Sequence, residues 1–323
     1  MTPERIDFFI AGSERSGTTV TGTMLDQMPE ICAVQATMVM TRLSNLYDMI
    51  TRVVRQGGGI EGVDPALCGS LQEFATNVPV TPFLHKCLFH YSFYENLVFS
   101  SRSDVTKDVL SQKAYVEDFD FARYMARFEQ GDRTWAASVA ALYAEFAASA
   151  GSDGHIFGEQ TPDNALRAEA ISALYPQAKF IFMVRHPVTS IASLMDRYSD
   201  VDYATKQFRN PYAHFPFNNE SVMERTLFVK FEDVLLNPLI TMNSMREFLG
   251  LEALSEKAFS TEHKSKVFSQ YVGGKLSMDR YYRSLTKYPI QFRAEILQKN
   301  EDIAKVFYSE GESRAILGYQ EAA

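Results

Sequence analysis

The sequence predicts an α/β protein built on a P-loop-type parallel β-sheet that is flanked by helices on both faces. Short apolar segments, typical of buried strands, alternate with amphipathic segments of helical period. A glycine-bounded loop follows the first predicted strand and opens the first helix. The length of 323 residues fits one large domain, so residues 1–323 are predicted to form a single domain.

The predicted elements alternate along the chain. Apolar character predicts strands at residues 5–11, 155–159, 179–185 and 226–232. Helical spacing of apolar residues predicts helices up to about residue 28, over 36–54, over 135–146, up to about residue 174, over 187–197 and over 237–249. Thr161-Pro162 and Asn237-Pro238 are typical helix starts, since each places an N-cap side chain before a first-turn proline.

The composition argues against several classes of protein. The formal net charge is −8, whereas proteins that bind nucleic acids or anionic membranes normally carry a basic surplus. The three cysteines have no C-x-x-C spacing, which opposes a zinc ribbon or a disulfide framework and fits a reducing cytoplasm. We therefore expect a cytoplasmic protein with no metal site, no nucleic-acid partner and no membrane span. The sequence leaves the oligomeric state open.

A loop with the frame of a phosphate-binding loop follows the first predicted strand, at Gly12-Ser13-Glu14-Arg15-Ser16-Gly17-Thr18-Thr19. Glycines let successive backbone N–H groups turn toward one point, and the helix N-terminus adds a positive dipole end, so a phosphate is the natural ligand. Nucleoside-triphosphatase loops carry lysine directly after the second glycine, where this chain has Thr18. The cation of this loop is instead Arg15.

Two elements of the sequence resemble a known family. Arg15-Ser16-Gly17-Thr18-Thr19 resembles the 5′-phosphosulfate loop of sulfotransferases that use 3′-phosphoadenosine 5′-phosphosulfate. Arg185 ends a predicted strand and Ser193 follows eight positions later, which is similar to the pair that holds the 3′-phosphate in that family. Weaker resemblances occur at Gly158-Glu159-Gln160-Thr161-Pro162, Phe231-Glu232-Asp233 and Gly318-Tyr319.

This resemblance implies which residues bind the donor nucleotide. The 5′-phosphosulfate would be held by the loop residues Arg15, Ser16, Gly17, Thr18 and Thr19. Arg15 would also offset the negative charge that grows on the bridging oxygen during transfer. The 3′-phosphate would be held by Arg185 and Ser193, and Lys275 stands where the family has a basic loop that closes over this phosphate. The scheme requires no metal.

The resemblance leaves several candidates for the general base. Many family members carry a glutamate after the first helix, where this chain has the neutral residues 35–37. Glu159, at the end of a predicted strand, is the first candidate. His85 and His90 come next, because histidine serves this role in the cytosolic members of the family. Each of the three side chains alternatively has a purely structural role. An acceptor that needs little deprotonation would make a strong general base unnecessary.

The implied reaction is in-line transfer of a sulfuryl group to a hydroxyl or nitrogen of a small-molecule acceptor. Insertions at about 36–150 and 198–222 carry many aromatic residues and are predicted to form the acceptor side; the second has no helical period and is predicted to be a long loop. The alternative is another P-loop nucleotide-binding protein, kinase-like or non-catalytic. The missing lysine at Thr18 opposes the kinase, and the missing base keeps the non-catalytic protein open.

Overall fold

A five-stranded parallel sheet forms the centre of the computed structural model, which describes residues 6–35, 39–60, 63–80, 120–130, 133–149, 155–257 and 278–318. Its strands are β1 Phe8–Gly12, β2 Ile31–Gln35, β3 Ile156–Gln160, β4 Lys179–Val184 and β5 Thr226–Lys230. The strand order is β2-β3-β1-β4-β5, and every neighbouring pair is parallel. The predicted α/β class is confirmed.

The connections between the strands are largely helical. The α-helices of the described ranges are α1 Thr18–Asp26, α2 Val39–Arg55, α3 Leu71–Asn77, α4 Phe121–Gln130, α5 Trp135–Ser149, α6 Ala168–Leu174, α7 Pro187–Tyr198, α8 Val201–His214, α9 Glu220–Met223, α10 Phe231–Leu236, α11 Pro238–Leu249, α12 Met278–Thr286, α13 Ile290–Lys299, α14 Glu301–Phe307 and α15 Glu310–Gly318. Short 3-10 helices lie at Pro65–Cys68 and Pro162–Arg167. Among these helices, none has both the length and the apolar character that crossing a lipid bilayer requires.

Both faces of the sheet are covered, because side chains alternate along each strand between two apolar cores. Phe9 and Phe182 belong to the larger core, which also receives buried side chains of α2, α5, α7 and α8. Ile10 and Ile181 belong to the smaller core, which receives those of α1 and α11. The apolar stripe of α5 that begins at Trp135 is buried in the larger core.

The edge strand β2 was not predicted. It follows α1 after a short turn and is as long as β1, β3 and β5, but no glycine or proline occurs over residues 36–56 to mark a loop or a helix start after it. Asp26 fixes the turn, because its carboxylate accepts the Ala33 N–H at 2.9 Å. β2 then pairs with β3 along its whole length.

The prediction of a long loop over 198–222 is wrong, since α8 and α9 occupy most of this segment. Asp200 caps α8 by accepting the Tyr203 N–H at 2.8 Å. Ala204, Phe208 and Tyr212 form a buried stripe at four-residue spacing. A proline inside the same helix, ordinarily a helix breaker, hid this period in the sequence.

Gly158 of β3 is predicted to be essential for the pairing of β3 with β1. A Cβ at this position would lie 2.1 Å from the ring of Phe8, its partner in the parallel register. Gly158→Ala is therefore expected to lower the free energy of unfolding by about 1–3 kcal/mol, measured by urea denaturation. Gly59→Ala is the control, because an added Cβ there meets no atom within 4 Å. Equal losses in the two variants would contradict this assignment.

Candidate active site

The predicted site residues meet where three neighbouring strands end. β3, β1 and β4 lie side by side and run parallel, so their carboxyl ends share one edge of the sheet. Residues 13–17 follow β1, Thr161 follows β3 and Arg185 follows β4. Open parallel sheets bind ligands at this edge, which makes it the candidate ligand site of this chain.

Two glycines allow the loop after β1 to adopt its shape. Gly12 has φ +143°, and a Cβ there would lie 2.5 Å from the Met183 carbonyl oxygen. Gly17 has φ +93°, and its Cβ would lie 2.2 Å from the ring of Phe231. Neither backbone conformation nor the space admits a larger residue. The glycine pair in the sequence is therefore a requirement of this turn.

Serine side chains hold the loop from within. Ser16 donates to the Ser13 carbonyl oxygen through its hydroxyl at 2.6 Å and through its backbone N–H at 3.1 Å. Ser13 Oγ in turn donates to the carbonyl oxygen of Phe208 on α8 at 2.6 Å. Helix α8, the segment predicted as a loop, thus fixes the phosphate loop. Ser16 supports the turn, and its role as a phosphate ligand stays a prediction.

The first backbone N–H groups of α1 are available to a ligand. No backbone acceptor lies against the N–H groups of Gly17, Thr18 or Thr19 in the part of the chain that the structure describes. The N-cap is Gly17, which has no side chain to cap the helix, and the first turn contains no acidic residue. Free N–H groups and a positive dipole end together bind an anion.

Two arginines converge beside this helix end. Arg185 Nη1 donates to the carbonyl oxygen of Arg15 at 2.8 Å, and Arg15 Nε lies 3.2 Å from Ser193 Oγ. Within the described ranges, neither arginine forms an ion pair with a carboxylate. The surrounding protein, and next the charge of Arg185, lower the pKa of Arg15. A bound anion would relieve this unbalanced positive charge.

The acidic residue of the loop has its own partners on α7. Glu14 pairs with Arg197 at the end of α7 and accepts the hydroxyl of Tyr198 at 2.6 Å. Burial, together with this hydrogen bond, raises the pKa of Tyr198 to about 12, so the phenol keeps its proton at neutral pH. Glu14 therefore leaves the anion site open.

Glu159 holds the turn that follows β3. The buried carboxylate accepts the hydroxyl of Thr161 at 2.5 Å and the amide of Asn164 at 2.6 Å, and the same amide donates to the Ile10 carbonyl oxygen at 3.1 Å. The predicted helix start is confirmed in position, since Thr161 is the N-cap and Pro162 follows it in the first turn. The Thr161 hydroxyl binds Glu159 instead of capping the helix, and the segment begins as a 3-10 helix before α6. The catalytic role of Glu159 stays a prediction.

Two further polar residues of this turn were not singled out as functional. Gln160 is 1% exposed, and within the described ranges its amide has no hydrogen-bond partner. An unpaired buried amide costs about 1–3 kcal/mol, which a bound polar group would offset. Asp163 is half-buried and has no hydrogen bond or ion pair to any described residue. Burial, and next the charge of Glu14, raise the pKa of Asp163.

Three predicted residues, His85, His90 and Lys275, lie outside the described residues. The predictions for them remain as stated. In the ranges that the structure covers, no group of three or more His, Cys, Asp or Glu side chains is arranged to hold a metal ion.

The comparison with family models decides the family. The model described as the sulfotransferase family matches residues 75–256, more than half of the chain. The chain belongs to the sulfotransferase family. Glu159, Arg185 and Ser193 of this sulfotransferase lie inside the matched residues, and the phosphate loop precedes them. No curated protein matches the sequence.

Solved structures of sulfotransferases are similar to this chain at low identity. STF9 from Mycobacterium avium is 15% identical with a TM-score of 0.48, over 96% of this chain and 79% of that one. The sulfotransferase domain of the Synechococcus PCC 7002 olefin synthase is 17% identical with a TM-score of 0.49, over 94% of this chain and 98% of that one. These likenesses are too distant to carry an argument about the site.

His186, beside Arg185, is predicted to make this sulfotransferase sensitive to acid. Burial lowers the pKa of His186 from 6.5 to about 4, and its ring packs edge-on against Tyr308. Between these two pKa values His186 is therefore protonated in the unfolded chain and neutral in the folded one. Stability falls as the pH drops through this window, on the order of 3 kcal/mol in total. His186→Phe is expected to flatten the pH profile of unfolding free energy between pH 7 and pH 4.5; parallel profiles would refute the assignment.

Proposed function

We propose that this sulfotransferase moves a sulfuryl group from 3′-phosphoadenosine 5′-phosphosulfate to a hydroxyl or nitrogen of a small-molecule acceptor. The observation that carries the proposal is the convergence of Arg15 and Arg185, without a paired carboxylate in the described ranges, beside the free amides of α1. Such a site needs a ligand with more than one anionic group. The lysine of a nucleoside-triphosphatase loop is absent at Thr18.

The residues present fit the two anionic ends of this donor. The amides of Gly17, Thr18 and Thr19 suit the 5′-phosphate side, since N–H groups at a helix start bind phosphate without a counter-ion. The guanidinium of Arg185 and the hydroxyl of Ser193 suit the 3′-phosphate, as the family resemblance implies. Because Arg15 contacts Ser193, the two anion sites adjoin and one nucleotide would span them.

The donor supplies an activated sulfuryl group, and the chain supplies positioning and charge. Arg15 belongs to the same loop as these amides and would offset negative charge on the oxygen that leaves the sulfur; its Nε lies 3.2 Å from Ser193 Oγ. The amides and Thr hydroxyls of the loop keep that oxygen in line with the acceptor. Gln160 offers a neutral amide at the same sheet edge to a polar group of the reactants.

We assign proton acceptance to Asp163 ahead of Glu159. Both oxygens of Glu159 already accept short hydrogen bonds that hold the turn, whereas the carboxylate of Asp163 has no such bond to a described residue. Burial, and next the charge of Glu14, raise the pKa of Asp163, which makes its carboxylate a stronger proton acceptor than a free one. His85 stays a candidate from the sequence.

Substitution of the two arginines is expected to separate transfer from binding. Arg15→Ala should lower the turnover number by about 100-fold or more, because charge on the leaving oxygen loses its partner. Arg185→Ala should weaken binding of 3′-phosphoadenosine 5′-phosphate by about 10- to 100-fold. Isothermal titration calorimetry with this bisphosphate, and sulfuryl transfer to a pool of phenols, alcohols and amines followed by mass spectrometry, measure the two effects.

The matched control is Arg209→Ala, which removes an arginine that pairs with Asp302 at the surface and should change neither quantity. Binding of ATP with magnesium, and no binding of the bisphosphate by the unaltered protein, would overturn the proposal. Equal small effects of Arg15→Ala and Arg185→Ala would overturn the separate roles.

The two carboxylates are expected to respond differently to amidation. Asp163→Asn should lower the turnover number at least about 100-fold while affinity for the bisphosphate stays unchanged, because only proton transfer is lost. Glu159→Gln should chiefly lower the free energy of unfolding. The Thr161 hydroxyl or the Asn164 amide would then face the NH₂ group of glutamine, which cannot accept its hydrogen bond. Activity retained in Asp163→Asn and lost in a folded Glu159→Gln would restore Glu159 as the base.

A further inference from the structure

Arg185 lies against two neighbouring aromatic rings that come from distant parts of the chain. Its guanidinium carbon is 5.1 Å from the ring centre of Phe231, which follows β5, and 4.9 Å from that of Tyr281 on α12. The side chain itself is 8% exposed. Rings at these distances attract the cation and restrict the rotation of its side chain.

A chain of hydrogen bonds connects this guanidinium to a buried carboxylate. Arg185 Nε donates to Thr189 Oγ1 at 3.2 Å, Thr189 Oγ1 lies 2.9 Å from the hydroxyl of Tyr281, and this hydroxyl donates to Glu232 Oε1. All four residues are buried. In such surroundings a chain of hydrogen bonds polarises its members and fixes their orientation.

Glu232 is the centre of this cluster. Besides Tyr281, it accepts the backbone N–H of His186 at 3.1 Å and the hydroxyl of Tyr308 at 2.8 Å. Burial, and next the charge of Glu232, raise the pKa of Tyr281 well above its usual value, so the phenol stays a donor at any working pH. Glu232 is therefore linked to the Arg185 guanidinium through the hydroxyls of Tyr281 and Thr189.

We propose that Glu232 and Tyr281 are positioning residues for Arg185, acting through Thr189 to aim the guanidinium at the 3′-phosphate of the donor. This inference rests on the proposed function. The carboxylate supports the cation through two hydroxyls and does not pair with it directly, so the remaining guanidinium N–H groups stay available to the ligand. The helices at 278–318 thereby take part in donor binding through Tyr281.

The test breaks the chain at Tyr281 and compares the result with a matched tyrosine. Tyr281→Phe keeps the ring against Arg185 and removes the hydroxyl link; it should weaken binding of 3′-phosphoadenosine 5′-phosphate by about 10-fold in calorimetry. Tyr308→Phe removes an equally buried hydrogen bond to Glu232 outside the chain, and should leave this affinity within about 2-fold. Both variants are to be compared at temperatures where each is folded by circular dichroism.

Thr189 gives an independent link and a conservative rescue. Thr189→Val removes the hydroxyl and should weaken bisphosphate binding as Tyr281→Phe does, whereas Thr189→Ser keeps the hydroxyl and should retain the affinity. In kinetics, the KM for the donor should rise in Tyr281→Phe while the turnover number changes by less than about 2-fold.

A double variant separates failure of this inference from failure of the proposed function. If Tyr281 acts through Arg185, adding Tyr281→Phe to Arg185→Ala changes the affinity no further. Equal effects of Tyr281→Phe and Tyr308→Phe, or full additivity with Arg185→Ala, would overturn the positioning role. If Arg185→Ala itself leaves bisphosphate binding unchanged, the assignment of the 3′-phosphate site fails instead.

Discussion

Two positive side chains are held together at the carboxyl edge of the sheet, and the rest of the site is organised around this constraint. The guanidinium of Arg185 binds the backbone of Arg15, and neither side chain pairs with a carboxylate in the described part of the chain. The charge of Arg185 acts on Arg15, and neighbouring like charges are unfavourable unless neutral dipoles, aromatic faces or a bound anion offset them. The fold supplies the first two, and the proposed donor supplies the third.

Each neighbouring element contributes to this balance. Gly17 leaves room for the ring of Phe231, and that ring then lies against Arg185. Glu14, the acid closest in sequence, is occupied by partners at the end of α7. The buried Glu232 acts on the arginine only through hydroxyl groups. The net charge of −8 is therefore compatible with a small, highly anionic ligand, because Arg15 and Arg185 place two positive charges at this edge.

The predictable parts are those with local signals. The two glycines of the phosphate loop lie within six residues of each other. Arg185 was recognised because it ends an apolar strand, and Ser193 because it follows eight positions later on the next helix. Four strands were predicted because each is an apolar segment next to a marked helix start. The edge strand β2 has no marked helix start after it, and Pro211 hid the period of α8. The contacts of Arg185 with Phe231 and Tyr281 join segments far apart in the chain, so no local pattern announces them.

The central claim is that one nucleotide with two anionic ends spans the arginine pair. The most direct measurement is a crystal structure of this sulfotransferase with 3′-phosphoadenosine 5′-phosphate. We expect the 5′-phosphate against the N–H groups of Gly17, Thr18 and Thr19, and the 3′-phosphate between Arg185 and Ser193. A nucleotide bound with its phosphates away from these groups, or with Arg15 and Arg185 both turned from it, would contradict the account.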